Sequence, residues 1–395
     1  MRRTVARKLI QSLLYTAVLL PTLAIAAPEQ NHSTQAYPAY QRDDYARAKQ
    51  YYERAAKQGD ADAQYTLGVM YYRGQGMAQS YTHAKQYYGL AAKQGNANAQ
   101  YALGFMYHRG VGMVQSYDRA KQYYDLAAKQ GDAYAQYALG LMYFHGQGVA
   151  QSYARAKQYY ELAAKQGNVE AQYVLGVLYH SGEGVSQDYA HAKQYYELAA
   201  KQGNADAQYG LGLMYSKGEG VSQNYARAKQ YYELAAKQGN ADAQYGLGVM
   251  YHNGEGMAQD YGRAKQYYEL AAKQGNADAQ YGLGVMYHHA EGVTQDYARA
   301  KQYYELAAKQ ENANAQHALG LMYYHGQGVT QDYVRTKEWI ELAARQKHAG
   351  AQHALGFMYH NGNGVAQDHN RAKEWFELAA KQGHVDAIEA LKIWQ

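Results

Sequence analysis

One segment of 36 residues is repeated along almost the whole chain, and this repeat constrains the fold more than any other feature of the sequence. Its phrase Ala-Gln-x-x-Leu-Gly begins at Ala63, Ala99, Ala135, Ala171, Ala207, Ala243, Ala279, Ala315 and Ala351. Self-similarity at this period is typical of stacked supersecondary units, each of which contacts only its neighbours. The sequence therefore indicates a long binding surface and disfavours a globule built around one catalytic cleft.

Each unit of the repeat predicts two α-helices joined by a turn. In the phrase that starts at Tyr45, apolar residues recur with the three- and four-residue spacing of an amphipathic helix. Ala63 and Leu67 show the same spacing in the next phrase. Gly59 fits the left-handed position after the first helix, and Asp60 fits the N-cap of the second. The unit is therefore predicted to be a helical hairpin, which must stack on its neighbours to bury its apolar face.

The N-terminus has the features of a secretory signal peptide over residues 1–26. Its basic residues are Arg2, Arg3, Arg7 and Lys8. A mostly apolar stretch over residues 9–23 follows, and Ala24-Ile25-Ala26 fits a small-x-small cleavage site. An uncleaved membrane anchor is the alternative, because the apolar stretch is close to the shortest length that spans a bilayer. We expect cleavage and an exported protein, either periplasmic or secreted.

The rest of the chain divides into two predicted parts. We expect a flexible lead-in over residues 27–42, because this segment is polar and has no period. We expect the repeat array over residues 43–395, with nine full repeats over residues 61–384, an N-terminal half-repeat and a C-terminal cap helix.

Charge and cysteine content exclude several classes of function. The chain has 39 Lys and Arg against 34 Asp and Glu, and removal of the four basic signal residues leaves 35 against 34. A nearly neutral chain without a dense basic face gives little support to nucleic-acid binding. The absence of cysteine excludes disulfides and a lipid-acceptor residue. We expect no cofactor, no nucleic-acid partner and no membrane span after signal cleavage.

The repeat resembles the Sel1-like repeat, a relative of the tetratricopeptide repeat. The family pattern appears in one unit as Ala243, Leu247, Gly248, Tyr251, Gly254, Gly256, Asp260, Ala264, Tyr267, Tyr268, Ala271, Ala272 and Gly275. The resemblance covers about residues 43–395. It implies an all-α solenoid, a right-handed α/α superhelix of 36-residue helix-turn-helix repeats, that acts as a scaffold for protein contacts.

For secreted bacterial members, the resemblance further implies envelope assembly, peptidoglycan-linked processes or contact with host cells. This chain departs from the family in two ways. Tyr replaces the usual Trp in most units, and Trp returns at Trp339 and Trp375. The subgroup linked to β-lactam binding carries paired cysteines that are missing here, so penicillin binding or hydrolysis is not expected.

One column of aromatic residues is the candidate partner-binding site. It precedes the Leu of each repeat by two positions and comprises Tyr65, Tyr101, Tyr137, Tyr173, Tyr209, Tyr245, Tyr281, His317 and His353. Exposed rings in a ladder would suit an extended peptide or a glycan strand, by stacking and hydrogen bonding. The alternative is that the rings only seal one unit against the next. Trp339 and Trp375 are further candidates, because they lie in diverged C-terminal units that form either a cap or a docking end.

Three other repeated features have simpler explanations than a site. The Gly-x-Gly pairs lack the Lys-Ser/Thr of a phosphate loop, so we interpret them as turn glycines. A histidine column comprises His108, His180, His252, His288 and His360. Its members should lie roughly 10 Å apart, too far for one metal ion, and are expected on a polar surface. Glu183, Glu219, Glu255 and Glu291 share one turn position, expected to be solvated, with steering of a basic partner as the alternative.

The sequence predicts a non-enzymatic exported scaffold that binds a protein partner in the bacterial envelope or on a host. A peptidoglycan- or glycan-binding accessory protein is the alternative, and a β-lactamase-like enzyme is a distant third. A catalytic constellation is a singular feature, whereas nearly every feature here recurs. The singular residues cluster late: Ala290, Glu311 and Lys347 stand where other repeats have glycine.

Overall fold

A computed structural model describes residues 33–394 and contains 21 α-helices and no β-strand in that range. In chain order these are α1 (Ser33–Gln41), α2 (Tyr45–Lys57), α3 (Ala61–Arg73), α4 (Tyr81–Lys93), α5 (Ala97–Arg109), α6 (Tyr117–Lys129), α7 (Ala133–His145), α8 (Tyr153–Lys165), α9 (Val169–Ser181), α10 (Tyr189–Lys201), α11 (Ala205–Lys217), α12 (Tyr225–Lys237), α13 (Ala241–Asn253), α14 (Tyr261–Lys273), α15 (Ala277–His289), α16 (Tyr297–Lys309), α17 (Ala313–His325), α18 (Tyr333–Arg345), α19 (Ala349–Asn361), α20 (His369–Ala380) and α21 (Val385–Ala390). A 3₁₀ turn, Leu391–Trp394, follows. The predicted signal peptide lies outside the described residues.

The chain divides into two compact units, unit 1 up to Gly210 and unit 2 from Leu211. In unit 1, consecutive helices between α1 and α10 pack against each other. In unit 2, consecutive helices between α12 and α21 do the same. The odd-numbered helices from α3 to α19 carry the Ala-Gln-x-x-Leu-Gly phrase, and the even-numbered helices from α2 to α18 carry the phrase that starts with Tyr. The predicted all-α array of helix-turn-helix repeats is confirmed. Within residues 33–394, no helix has the length and hydropathy needed to cross a bilayer.

Capping side chains fix where the helices begin and end. The Asp60 carboxylate accepts the backbone N–H of Ala63 at 2.8 Å, and Ser80 accepts that of His83. Gly59 and Gly74 adopt φ of +94° and +71° after the helices that they end. The predicted caps and turn glycines are confirmed, because these groups satisfy donors and acceptors that a helix end leaves unpaired.

Part of the expected lead-in is ordered as α1. Ala39 is buried in a cluster with Ala48 and Tyr52, and the Tyr40 hydroxyl donates to Gln75 at 2.8 Å. The prediction of a flexible segment over residues 27–42 is therefore wrong for α1. This helix covers the apolar face of α2, as the odd-numbered helices of the repeats do for the even-numbered ones. Its sequence nevertheless lacks the repeated phrase.

The closest approach between helices joins a glycine to a buried tyrosine. A Cβ added to Gly68 would lie 2.5 Å from the ring of Tyr88, and one added to Gly284 would lie 2.5 Å from Tyr304. Such a distance is shorter than any packed carbon contact. The glycine of the repeated phrase is thus required by the space available beside the following even-numbered helix.

A glutamine ties each repeat to the next. Gln100 in α5 is 4% exposed; its amide donates to the Ala92 carbonyl at the end of α4, and it accepts from Gln130 at the end of α6. The same arrangement recurs at Gln244, which donates to Ala236 and accepts from Gln274. Because these buried amides are hydrogen-bonded between three helices, they stabilise the stack and are not open to a ligand.

We expect Gly284→Ala to lower the free energy of unfolding by about 1–3 kcal/mol, because the added methyl must displace the Tyr304 ring. Gly282→Ala is the control in the same helix: its Cβ would lie 3.1 Å from Tyr268, and other repeats carry Ala102 and Ala138 at this position. Urea unfolding followed by circular dichroism measures both. Equal loss in the two variants would contradict the packing argument.

Three non-glycine residues occupy left-handed positions that other repeats give to glycine: Ala290, Glu311 and Lys347, with φ of 61°, 62° and 64°. Ala290→Gly should raise the free energy of unfolding by about 1 kcal/mol, because the Cβ strain disappears. The converse variant Gly254→Ala, at the same position of the preceding repeat, should lower it by a similar amount. A shift of the urea-unfolding midpoints of both variants in the same direction would refute this assignment of strain.

Candidate partner-binding surface

The aromatic column of unit 1 is buried between helices. Tyr65, Tyr101, Tyr137 and Tyr173 are each 3% exposed. Each ring packs on the buried tyrosine of the next even-numbered helix; the Tyr101 and Tyr124 centroids lie 5.7 Å apart. Burial raises the pKa of the Tyr101 hydroxyl well above its ordinary value. In unit 1 the column is therefore the inter-helix seal, and these four rings offer no open face to a partner.

The same column is open in unit 2. Tyr245 and Tyr281 are half-buried, although they still contact Tyr268 and Tyr304 at centroid distances of 5.8 and 5.7 Å. Burial raises the pKa of Tyr245 to about 12. Further along, His317 and His353 are half-buried as well, as is Tyr209 just before the division between the units. Part of each of these rings is accessible.

A second apolar column, four residues further along each odd-numbered helix, opens in the same place. In unit 1 its members are the buried Val69, Phe105, Leu141 and Val177. In unit 2 its members are half-buried or exposed: Leu213, Val249, Val285, Leu321 and Phe357. Phe357 is 45% exposed, a large fraction for a phenylalanine. Residues four apart share one side of a helix, so the two columns form one apolar strip, the odd-helix face of unit 2.

A sequence change accompanies the difference between the units in three repeats. The residue after the aromatic ring is Thr66, Ala102, Ala138 or Val174 in unit 1, all buried. It is Gly210, Gly246 and Gly282 in the next three repeats. The last two repeats have Ala318 and Ala354 after the half-buried His317 and His353, so accessibility of the ring does not require the glycine.

The odd-helix face of unit 2 is acidic. Helices α13, α15, α17 and α19, with the turns that follow them up to residue 367, contain no Lys or Arg. Apart from N-cap residues, they contain four carboxylates. These carboxylates are Asp242, Glu255, Asp278 and Glu291. Asp242 and Asp278 accept amide hydrogen bonds at 2.8 Å from Asn276 and Asn312, which orient the carboxylates and leave their charge in place.

Two hollows lie at the C-terminal end of this face. One has a volume of about 210 Å³ and an apolar lining that includes Leu321, Ile340 and Phe357. The second, more open, has about 530 Å³ and is bordered by Phe357, Asp386 and Glu389. His353 lines both hollows. Together they offer an apolar cleft with carboxylates at one edge.

Trp339 and Trp375 do not join the odd-helix face. They occupy the even-helix position of Tyr303, whose ring stacks on Tyr287 at 5.9 Å. Both tryptophans are half-buried against core clusters that include residues of the preceding repeat. Leu321 and Phe357 belong to the face, and the sequence reasoning missed them because it followed the aromatic column alone. Their four-residue spacing from His317 and His353 was the signal that could have found them.

The histidine column connects neighbouring repeats. His108 Nε2 lies 3.0 Å from Gln147 Oε1, and His252 Nε2 lies 2.8 Å from Glu291 Oε2. His108 is 4% exposed, and burial lowers its pKa to about 4. The expectation of a polar surface column is wrong for His108, because the next turn covers it. The expectation that this turn position is solvated is likewise wrong for Glu183, which is 6% exposed.

No group of three or more His, Cys, Asp or Glu side chains is arranged to hold a metal ion in the part of the chain that the structure describes.

The sequence profile of the Sel1 repeat matches this chain ten times, at residues 39–60, 61–96, 97–132, 133–168, 169–204, 205–240, 241–276, 277–312, 313–348 and 349–384. No curated protein matches this chain.

Two solved structures are similar in both sequence and fold. One is a protective antigen present in uropathogenic Escherichia coli strains, with an SLR fold: 34% identity, a TM-score of 0.80, and coverage of 88% of this chain and 75% of that one. The other is a Sel1 repeat protein from Oxalobacter formigenes: 33% identity, a TM-score of 0.61, and coverage of 78% of this chain and 90% of that one. The repeats, their caps and these similarities agree, and the chain belongs to the Sel1 repeat family.

Proposed function

We propose that this protein is an exported, non-enzymatic scaffold that binds a partner protein through the odd-helix face of unit 2. One observation carries the proposal: the apolar strip that is sealed in unit 1 is open in unit 2. Monomeric proteins seldom leave such a strip uncovered without a use for it. Sel1 repeat proteins are typically modules for protein interaction, which supports the same reading.

The charges of the face select the kind of partner. Asp242, Glu255, Asp278 and Glu291 lie on the same helices and turns as the apolar strip with its Tyr, Val, Leu and Phe, and these helices and turns contain no Lys or Arg. A complementary segment carries Lys or Arg together with large apolar side chains, because opposite potentials guide association and apolar contacts hold the complex. Unit 1 differs in charge as well, since Arg73 and Arg109 lie at the ends of α3 and α5.

The proposal of export rests on the N-terminal sequence. Residues 1–26 have the basic, apolar and small-residue regions of a signal peptide. Cleavage after Ala26 would place this scaffold in the envelope or outside the cell.

The test is crosslinking of the protein from Ala27 onward in the envelope of its own cells, followed by mass spectrometry of the captured material. We expect a discrete protein whose crosslinks map to α13, α15, α17 and α19 and whose crosslinked segment is rich in Lys or Arg. Crosslinks confined to even-numbered helices would refute the assigned face.

Charge variants make the test quantitative. Asp278→Asn with Glu291→Gln keeps the hydrogen bonds to Asn312 and His252 and removes two charges from the face. We expect about tenfold weaker capture, and added salt should weaken wild-type capture in the same way. Glu233→Gln with Glu269→Gln is the matched control, because it removes two carboxylates that pair with lysines on even-numbered helices. An equal loss of capture in both pairs of variants would contradict the assignment of this face as the binding surface.

A glycan strand is the second candidate, because the accessible ring edges of Tyr245 and Tyr281 could stack on sugars. Recovery of muropeptides alone, insensitive to the charge variants, would favour it. Turnover of a β-lactam by the purified protein would contradict both.

A further inference from the structure

The last repeats of unit 2 contain two pairs of neighbouring histidine rings, one tilted and one stacked. His317 and His348 have ring centroids 4.7 Å apart, and His353 and His384 have ring centroids 4.6 Å apart. In the preceding repeat the position of His317 is Tyr281, and the cap position of His348 is Asn312. Both positions change to histidine in two successive repeats, so the change is paired.

One histidine of each pair caps a helix. His348 Nδ1 accepts the backbone N–H of Ala351 at 3.0 Å, at the start of α19. His384 Nδ1 accepts that of Ala387 at 3.4 Å, at the start of α21. Asparagine or aspartate oxygens make this bond in the other repeats, as Asn312 does with Ala315 at 2.9 Å. An imidazole can make it only while Nδ1 carries no proton.

Protonation reverses the cap. A protonated Nδ1 becomes a donor that faces the N–H it had accepted. The new positive charge also lies at a helix N-terminus, where the helix dipole disfavours cations. His348 would lose its cap while its Nε2, 3.1 Å from Asn314 Oδ1, keeps that second bond.

The surroundings oppose charge on the cluster. Burial, with further contributions from His348, His384 and His353, lowers the pKa of His317 to about 4. Burial, aided by His384, also lowers the pKa of His348 and of His353. Asp386 on α21 is the carboxylate that acts on His353 in the opposite direction.

The remaining groups around the pairs contribute little charge. α20 contributes the apolar ring of Phe376, 5.5 Å from His353. Glu389, which borders the open hollow, is paired with Lys392. His325 of α17 lines the apolar hollow with His353.

We infer that the histidine pairs make the C-terminal repeats an acid-sensitive switch: α19 is capped by His348 at neutral pH and loses this cap when acid protonates His348. The direction follows from linkage. The unfolded chain binds protons near the ordinary histidine pKa of 6.5, whereas burial makes His317, His348 and His353 of the folded chain bind them only at lower pH. The stability that these three groups contribute is therefore fully present above about pH 6.5 and is lost as the pH falls below that value.

Hydrogen exchange of the whole protein, followed by mass spectrometry at about pH 7.5 and about pH 5 and corrected for intrinsic rates, tests the inference without any partner. We expect amide protection in α19 to fall more between these two pH values than in α13 and α15, whose caps Asn240 and Asn276 do not titrate. An equal fall in both regions would overturn the inference.

The variant His348→Asn restores the asparagine cap of the other repeats. It should retain protection at neutral pH and lose the part of the acid sensitivity that comes from the cap, whereas the part that comes from the buried His317 remains. His83→Asn with His289→Asn, at two exposed histidines outside the pairs, is the control and should behave as the wild type. Unchanged acid sensitivity of α19 in the cap variant would overturn the inference. Because this readout needs no partner, its failure is independent of the proposed function.

Discussion

The contact of glycine with a buried tyrosine fixes the distance between successive helices, and the other contacts of the stack depend on it. The missing Cβ of Gly68 lets α3 approach the Tyr88 ring of α4 closely. At that separation a buried glutamine can reach the carbonyl of one neighbouring helix and the amide of another. The same contact survives with Ile340 or Phe376 in place of tyrosine, so the glycine is the constant partner and the apolar side chain fills the remaining space.

The repeats use one backbone for two different surfaces. The aromatic column is part of the core in four repeats of unit 1 and is half-buried from Tyr209 onward. The same position of the repeat thus serves as core in one segment and as candidate binding surface in another. Charge differs as well, with Arg73 and Arg109 at helix ends in unit 1 and no Lys or Arg in the odd-numbered helices from α13 to α19. Specific function is grafted onto a fold that does not itself determine it.

The sequence predicted the fold well because helix spacing and caps are local properties. Ala63, Leu67 and Asp60 lie within one helical hairpin, and their roles follow from periodicity alone. Exposure of the aromatic column could not be predicted in this way. Tyr101 and Tyr281 occupy the same position of the repeat, and each packs on the tyrosine of the next even-numbered helix at 5.7 Å, yet Tyr101 is buried and Tyr281 is half-buried. The histidine caps were missed because sequence rules look for oxygen acceptors, whereas His348 uses a ring nitrogen.

The spacing of the side-chain bonds between repeats has a genetic consequence. Gln130 bonds to Gln100 and Asn276 to Asp242 across 30 and 34 residues, and His252 reaches Glu291 across 39. Residues 225–248 and 261–284 differ only at Ala226 and Gly262. Recombination between two such segments would delete or duplicate one 36-residue period and recreate an identical junction. The length of the array, and with it the number of open rings and carboxylates, can therefore change in whole repeats without any new contact having to evolve.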